Sequence, residues 1–228
     1  MNRIREADDS FRAVSLTTPA RYAEAATLYR EVFGYQDPDY ALNPRLLGAL
    51  TSNGGSVVGV LDATDRLVAF AYGFCGTDRR GFYHYSQSAV VAADQQGQGV
   101  GRLLKHAQRE VALGHGMTRM RWTYDPFEIR NAHFNLDVLG ARGRWYAPDM
   151  YGPGTDRVVV EWDLTREPSA QPALETARLV VPAKVTDQVR HDIRAAFQGL
   201  LGKGLVAKSC TQLTDGDAAY CFGPVDDA

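Results

Sequence analysis

Between Ser88 and Lys105 the chain reads Ser-Ala-Val-Val-Ala-Ala-Asp-Gln-Gln-Gly-Gln-Gly-Val-Gly-Arg-Leu-Leu-Lys, and this stretch constrains everything around it. It begins as an apolar, strand-like run ending at Val91 and turns through glycines at alternate positions, Gly97, Gly99 and Gly101. It leaves as an amphipathic helix. Val100, Leu103, Leu104, Ala107 and Val111 share one face, and Arg102, Lys105 and Arg109 lie off it. Strand, glycine loop and helix in succession aim free backbone N–H groups and the positive end of a helix at an anion. Glycine suits the task because it lacks Cβ, lets phosphate oxygens approach the backbone and tolerates positive φ. A glycine-rich turn before a surface helix is the competing reading.

The spacing narrows the choice of anion. A nucleotide P-loop needs Gly-Lys-Ser/Thr, whereas Gly101 is followed by Arg102 and Leu103, so the metal-binding hydroxyl is missing. A dinucleotide loop reads G-x-G-x-x-G, and this one reads G-x-G-x-G. The pattern that fits is Q/R-x-x-G-x-G/A, met by Gln96-Gly97-Gln98-Gly99-Val100-Gly101. Here the sequence resembles the GNAT superfamily of acyl-CoA-dependent N-acyltransferases. The resemblance implies acetyl-CoA or another acyl-CoA as co-substrate and no metal. It implies that Gln96, Gly97, Gln98, Gly99, Val100, Gly101 and Arg102 hold the pyrophosphate. It also implies that the Val90–Val91 edge pairs with the pantetheine amides.

The rest of the chain follows the same order. Phe11–Leu16 alternates as a strand, and Thr18-Pro19 starts a helix that Gly34 ends. Tyr35-Gln-Asp-Pro-Asp-Tyr40 is a short loop before a second helix at 44–50; Asp37, Asp39 and the tyrosines suit a cationic amine, or simply form a solvated turn. Strands at 57–61, 67–75 and 82–91 precede the glycine loop. After the loop helix come a strand at 118–124, a helix at 128–139 closed by Gly140, and strands at 143–146 and 157–164. The order β-α-α-β-β-β-α-β-α-β-β over residues 10–164 matches the GNAT fold, an α/β (α+β) architecture with a central mixed, mostly antiparallel twisted sheet flanked by helices. We therefore expect a GNAT domain at 1–165 with a frayed polar start at 1–9, a Pro-rich linker at 166–172, and a small C-terminal β-α-β-β extension at 173–228. The extension is too small for a large core of its own and should pack on the first domain or on a second subunit, which admits a homodimer.

A narrower resemblance rests on three blocks: Trp122-Thr-Tyr-Asp-Pro126; Arg130-Asn-Ala-His-Phe-Asn-Leu136; and Thr155-Asp-Arg157 with Glu161-Trp162. They look like those of predicted GNAT acetyltransferases carrying W-T-[FY]-D-P and R-N-A-x-F-N-L. The chain departs from that group at Gln87, where a histidine is expected.

Composition removes other classes. Among 228 residues, 25 Lys and Arg nearly balance 27 Asp and Glu, which gives no electrostatic case for nucleic acid or a membrane surface. The three cysteines lack metal spacing and read as reduced thiols, and with no signal-like run the expected location is cytoplasmic.

Acyl transfer to an amine needs a base, and the candidates are Asp125, Glu128, His84 and His133. His84 alternates with core positions and reads equally as a structural histidine, and Asp125 equally as a helix cap. Many GNAT enzymes protonate the leaving thiolate with a helix tyrosine; that position falls on Leu136 here, so Tyr124 or Tyr151 would have to substitute. Asn131 and Asn135, four apart on one expected helix face, are candidate cofactor contacts. The expected function is acetyl transfer from acetyl-CoA to a small-molecule amine by direct attack in a ternary complex. The alternative is a non-catalytic acyl-CoA-binding sensor or interaction module.

Overall fold

The computed structural model describes residues 10–166, 175–214 and 216–225. The polar start at 1–9 and, apart from Arg166, the linker expected at 166–172 lie outside the described residues. The chain divides into two units, Met1–Met120 and Arg121–Ala228.

In the first unit, β1 (Phe11–Ser15) leads to α1 (Pro19–Phe33), a 3-10 turn at Pro38–Tyr40 and α2 (Pro44–Ser52). Strands β2 (Ser56–Asp62), β3 (Leu67–Asp78) and β4 (Gly81–Val91) follow, then α3 (Val100–Gly114). Helix α1 begins where the sequence says it must. Thr18 Oγ1 accepts from the Arg21 amide at 3.4 Å, Pro19 follows, and Gly34 closes the helix at φ 68°. The strands lie in the order β1-β2-β3-β4, each neighbouring pair antiparallel.

Alternation along β2 separates two cores. Val57 and Leu61 join Phe70, Tyr72, Leu28 and Leu47 beneath α1 and α2, while Val58 and Val60 join Ala69, Ala71, Val100 and Leu104 beneath α3. Each fully buried side chain of this size contributes about 1.5–3 kcal/mol. One irregularity positions the site. Tyr72 faces Ser88 but Gly73 faces Ser86, so Gln87 is an extra residue in β4 and the strand bends there. Gly73 is obligatory at that bulge, because a Cβ would lie 2.3 Å from the Tyr85 carbonyl and 2.5 Å from His84 Nε2.

Strand β5 (Arg119–Tyr124) ends in the second unit, which continues with α4 (Ile129–His133), β6 (Arg142–Ala147), β7 (Arg157–Asp163), β8 (Ala177–Val181), α5 (Asp187–Gly202), β9 (Leu205–Gln212) and β10 (Ala218–Pro224). The strand order is β5-β7-β6-β9-β10-β8. The helix expected at 128–139 is in two parts. After His133 it widens into a π turn at Phe134–Val138, marked by the Leu139 amide donating to the Phe134 carbonyl at 3.0 Å.

The C-terminal strands prolong the row through β9, which pairs with β6 at Gly143 and Ala207. Gly143 permits that approach, since a Cβ there would come within 2.9 Å of the Ala207 Cβ. Phe197 of α5 packs at 5.0–5.3 Å against the rings of Tyr146, Tyr220 and Phe222, and the Tyr220 hydroxyl donates to the Pro126 carbonyl at 2.8 Å. No helix among the described residues is long and apolar enough to cross a membrane.

Candidate functional site

The glycine loop is an open turn between β4 and α3. After Val91 the backbone makes a 3-10 turn at Ala93–Gln95, then passes through Gly97 at φ 79° and Gly99 at φ 83°. Both are left-handed conformations that glycine adopts without strain, and the space a Cβ would occupy at either is empty. Gly99 is the N-cap of α3; no side chain caps the helix and no acidic residue sits in its first turn. The intrahelical ladder begins with the Leu103 amide donating to the Gly99 carbonyl at 3.1 Å. The amides of Val100, Gly101 and Arg102 precede it and have no intrahelical acceptor, at the positive end of the helix.

Side-chain amides brace the loop from within. Gln96 Nε2 donates to the Val91 carbonyl at 3.4 Å and Gln98 Nε2 to the Asp94 carbonyl at 3.1 Å. The Asp94 carboxylate accepts from Arg66 at 2.7 Å and from Gln95 at 3.1 Å, and these bonds, Arg66 first, hold its carboxyl below the usual range. A groove of about 910 Å³ opens beside the loop, lined by Arg21, Glu24 and Leu28 of α1, the β2–β3 turn at Asp65 and Arg66, and Asp94 and Gln96.

Beneath α3 lies a buried polar network that the sequence did not announce. His84 is fully buried, with Nε2 2.9 Å from Ser56 Oγ and, among the described residues, no hydrogen-bond partner for Nδ1. Gln108 Nε2 donates to the same Ser56 oxygen at 3.1 Å. The Lys105 amine donates to Ser86 Oγ and Gln108 Oε1, both at 3.0 Å, and lies 3.4 Å from Met120 Sδ. Burial pushes His84 down to about 3, with Lys105 and His115 adding repulsion, and burial pushes Lys105 down to about 7. His84, a candidate base by sequence, does not reach solvent and is neutral at pH 7. Lys105, expected off the apolar face, is 3% exposed, because Ser86 and Gln108 supply the acceptors that let its amine be buried.

The remaining candidates belong to the second unit. Asp125 does not cap the following helix, whose N-cap is Glu128; its Oδ1 accepts from the Phe127 amide at 2.9 Å in the turn before it, and Oδ2 lies 3.5 Å from Arg157 Nη1. Glu128 is exposed just before α4 and makes no capping bond. Tyr124 is buried, and burial pushes its phenol well up. It is poorly placed to give a proton to a substrate. His133 Nδ1 lies 3.1 Å from Asp137 and 3.2 Å from the Cys210 carbonyl. Asn131 and Asn135 do not share a surface: Asn131 is exposed, whereas Asn135, carried by the π turn, is buried and accepts from the Trp122 indole at 3.0 Å. Leu136 is core, and Tyr151 is exposed beneath the Arg157 guanidinium at 5.4 Å.

A second feature escaped the sequence. Arg194 of α5 makes ion pairs with Asp149 at 3.0 Å and Asp156 at 2.6 Å, at the two ends of the β6–β7 connection. The Tyr146 hydroxyl donates to Asp156 at 2.8 Å. Burial opposes the charge on Asp156, yet the bonds from Arg194, the Asp149 amide and Tyr146 hold its carboxyl below the usual range. Among the described residues no group of three or more His, Cys, Asp or Glu side chains converges as metal ligands do.

Comparison with solved structures identifies the fold. A candidate acetyltransferase from Salmonella typhimurium, solved with its cofactor acetyl-CoA, matches 71% of this chain and 99% of its own with a TM-score of 0.57 at 17% identity. The fold is that of the GNAT acetyltransferases. A GNAT-family acetyltransferase from Streptococcus pneumoniae covers 66% of this chain and 98% of its own at 17% identity, with a TM-score of 0.53. Aminoglycoside 6'-acetyltransferase type Ii covers 69% and 99% at 14% identity, also with a TM-score of 0.53. No protein-family model and no curated protein matches the sequence. The large mixed sheet with flanking helices agrees with the GNAT architecture expected from the sequence.

Proposed function

We propose that this chain is an acyl-CoA-dependent N-acyltransferase that moves an acetyl or other short acyl group to the amine of a small molecule. The carrying observation is the uncapped start of α3 behind Gly97 and Gly99. Backbone amides of residues 97–102 hold the pyrophosphate, and charge-assisted bonds of this kind are worth about 1.5–3 kcal/mol each. The Val90–Val91 edge takes the pantetheine amides, and a backbone N–H near Val91 polarises the thioester carbonyl. Asp125 or Glu128 accepts the amine proton. The amine nitrogen bonds to the carbonyl carbon, the C–S bond breaks and coenzyme A departs as thiol. The neighbouring GNAT structures, one of them solved with acetyl-CoA, support this reading.

The second reading, a non-catalytic acyl-CoA-binding module, draws on Leu136 and on the buried Tyr124, which leave Tyr151 as the remaining candidate phenol to protonate the thiolate. A thiol of pKa about 8.5 is already a fair leaving group, so the loss need not abolish turnover.

Thermal unfolding with acetyl-CoA, beside ATP and NAD, tests the cofactor. Ligand at about 100 times Kd adds about 2.7 kcal/mol, which raises the midpoint about 5–10 °C for a chain of this size. No shift with millimolar acetyl-CoA refutes the assignment. A shift without thiol release across an amine panel favours the binding module.

A further inference from the structure

The glycine loop is tied to a turn 28 residues away in sequence. Asp94 lies in the 3-10 turn that opens the loop, and its carboxylate accepts from Arg66 Nη2 at 2.7 Å and from Gln95 at 3.1 Å. Its carbonyl accepts from Gln98 Nε2 at 3.1 Å. Gln98 stands between Gly97 and Gly99, whose left-handed backbones no side chain restrains. A chain of bonds therefore runs from Arg66 through Asp94 to the middle of the loop.

The other end of that chain is fixed. In the β2–β3 turn, Asp62 Oδ1 accepts from the Thr64 amide at 2.9 Å, the Thr64 hydroxyl at 2.7 Å and the Arg66 amide at 3.0 Å. Asp62 Oδ2 accepts from Arg66 Nε at 3.1 Å. The Thr64 hydroxyl above all holds the Asp62 carboxyl down at about 2, so it keeps its charge across the neutral range. The turn is itself tied to α1, where Arg21 pairs with the Asp65 carboxylate and donates to the Asp65 carbonyl at 3.1 Å. With Nε on Asp62 and Nη2 on Asp94, the guanidinium bridges two carboxylates as a planar fork, which an ammonium cannot copy.

We propose that Arg66 is a positioning residue for the acyl-CoA site, holding the glycine loop, through Asp94, in the conformation that takes the pyrophosphate. The assignment rests on the function proposed above and requires no contact between Arg66 and the cofactor. A loop that is in its binding conformation only part of the time binds in proportion to that fraction. Loss of the fork lowers the fraction and leaves the contacts themselves intact. Acetyl-CoA and free coenzyme A share the pyrophosphate, so both weaken equally.

Calorimetric titration of the full chain with acetyl-CoA and with free coenzyme A is the test. The side chains of Arg66 and Asp94 are 52% and 56% exposed, and an exposed pair supports a change of about twofold to fivefold in affinity. Arg66→Met weakens both ligands by that factor, and Arg66→Lys recovers part of the loss. Asp94→Ala weakens both ligands to the same degree, and the double variant binds no more weakly than either single one. Arg12→Met is the control. It removes the same charge and an ion pair of 3.1 Å from the same turn, to Asp65, without a bond to the loop, and it binds as the native chain does. Native affinity in Arg66→Met, an equal loss in Arg12→Met, additive losses in the double variant, or tighter binding by Asp94→Ala overturns the positioning role and leaves the acyltransferase reading standing. No binding of either ligand by the native chain at about 1 mM strikes the acyltransferase reading, and the positioning role falls with it.

Discussion

Lys105 makes stability depend on pH in a window where few other groups titrate. Burial lowers its amine from 10.5 to about 7, which corresponds to about 5 kcal/mol in favour of the neutral form. The unfolded chain keeps the ordinary value, so between these two limits it binds more protons than the folded chain, and stability rises with pH. The cost is complete below pH 7. At pH 7 it is about 4 kcal/mol and at pH 9 about 2 kcal/mol, a gain of about 2 kcal/mol between them. For a chain of this length that gain raises the unfolding midpoint by about 5–9 °C. Cys210, whose thiol burial pushes up to about 12, acts in the opposite sense, but only from about pH 9 upward. The assay is circular dichroism melting at pH 7, 8 and 9, native chain against Lys105→Met. The native midpoint should climb and the variant's should stay level, whatever their absolute values. Equal slopes in the two proteins would falsify the argument that this amine is buried at the cost of its charge.

Gly73→Ala should destabilise the first unit by about 2–4 kcal/mol, since the Cβ has no room beside Tyr85 and His84 at the bulge; a urea midpoint unchanged from the native chain would contradict the geometry. Gly99→Ala should cost only about 1–2 kcal/mol for the left-handed backbone yet abolish the acetyl-CoA-induced thermal shift, and a retained shift would remove Gly99 from the cradle. Arg194→Met should accelerate amide hydrogen exchange across residues 149–156 by about tenfold or more, with Arg194→Lys in between; unchanged protection would mean that the ion pairs do not hold the connection.

Local signals carried most of the architecture. Thr18-Pro19 and Gly34 bounded α1, and strand alternation followed by three glycines located β4, the loop and α3, because each depends on neighbours within a turn or two. What escaped depends on partners far along the chain. Lys105 is polar by type and buried by circumstance, since only folding brings Ser86 and Met120 to its amine. The π turn at Phe134 leaves no periodic signature, and it turns Asn135 inward to Trp122, off the face that carries Asn131. The bond between Arg194 and Asp149 joins side chains 45 residues apart, and no spacing rule reaches that far.

The pairing of β9 with β6 at Gly143 bears on where this protein can be cut. An open strand edge recruits other strands. Ending the chain after β7, where a GNAT domain would by analogy stop, uncovers the backbone of β6 and bares Tyr146, from which Phe197 departs. The shortened protein should form insoluble aggregates on expression, while the full chain stays monodisperse. A segment that reads as an appendix in sequence has become a structural dependency.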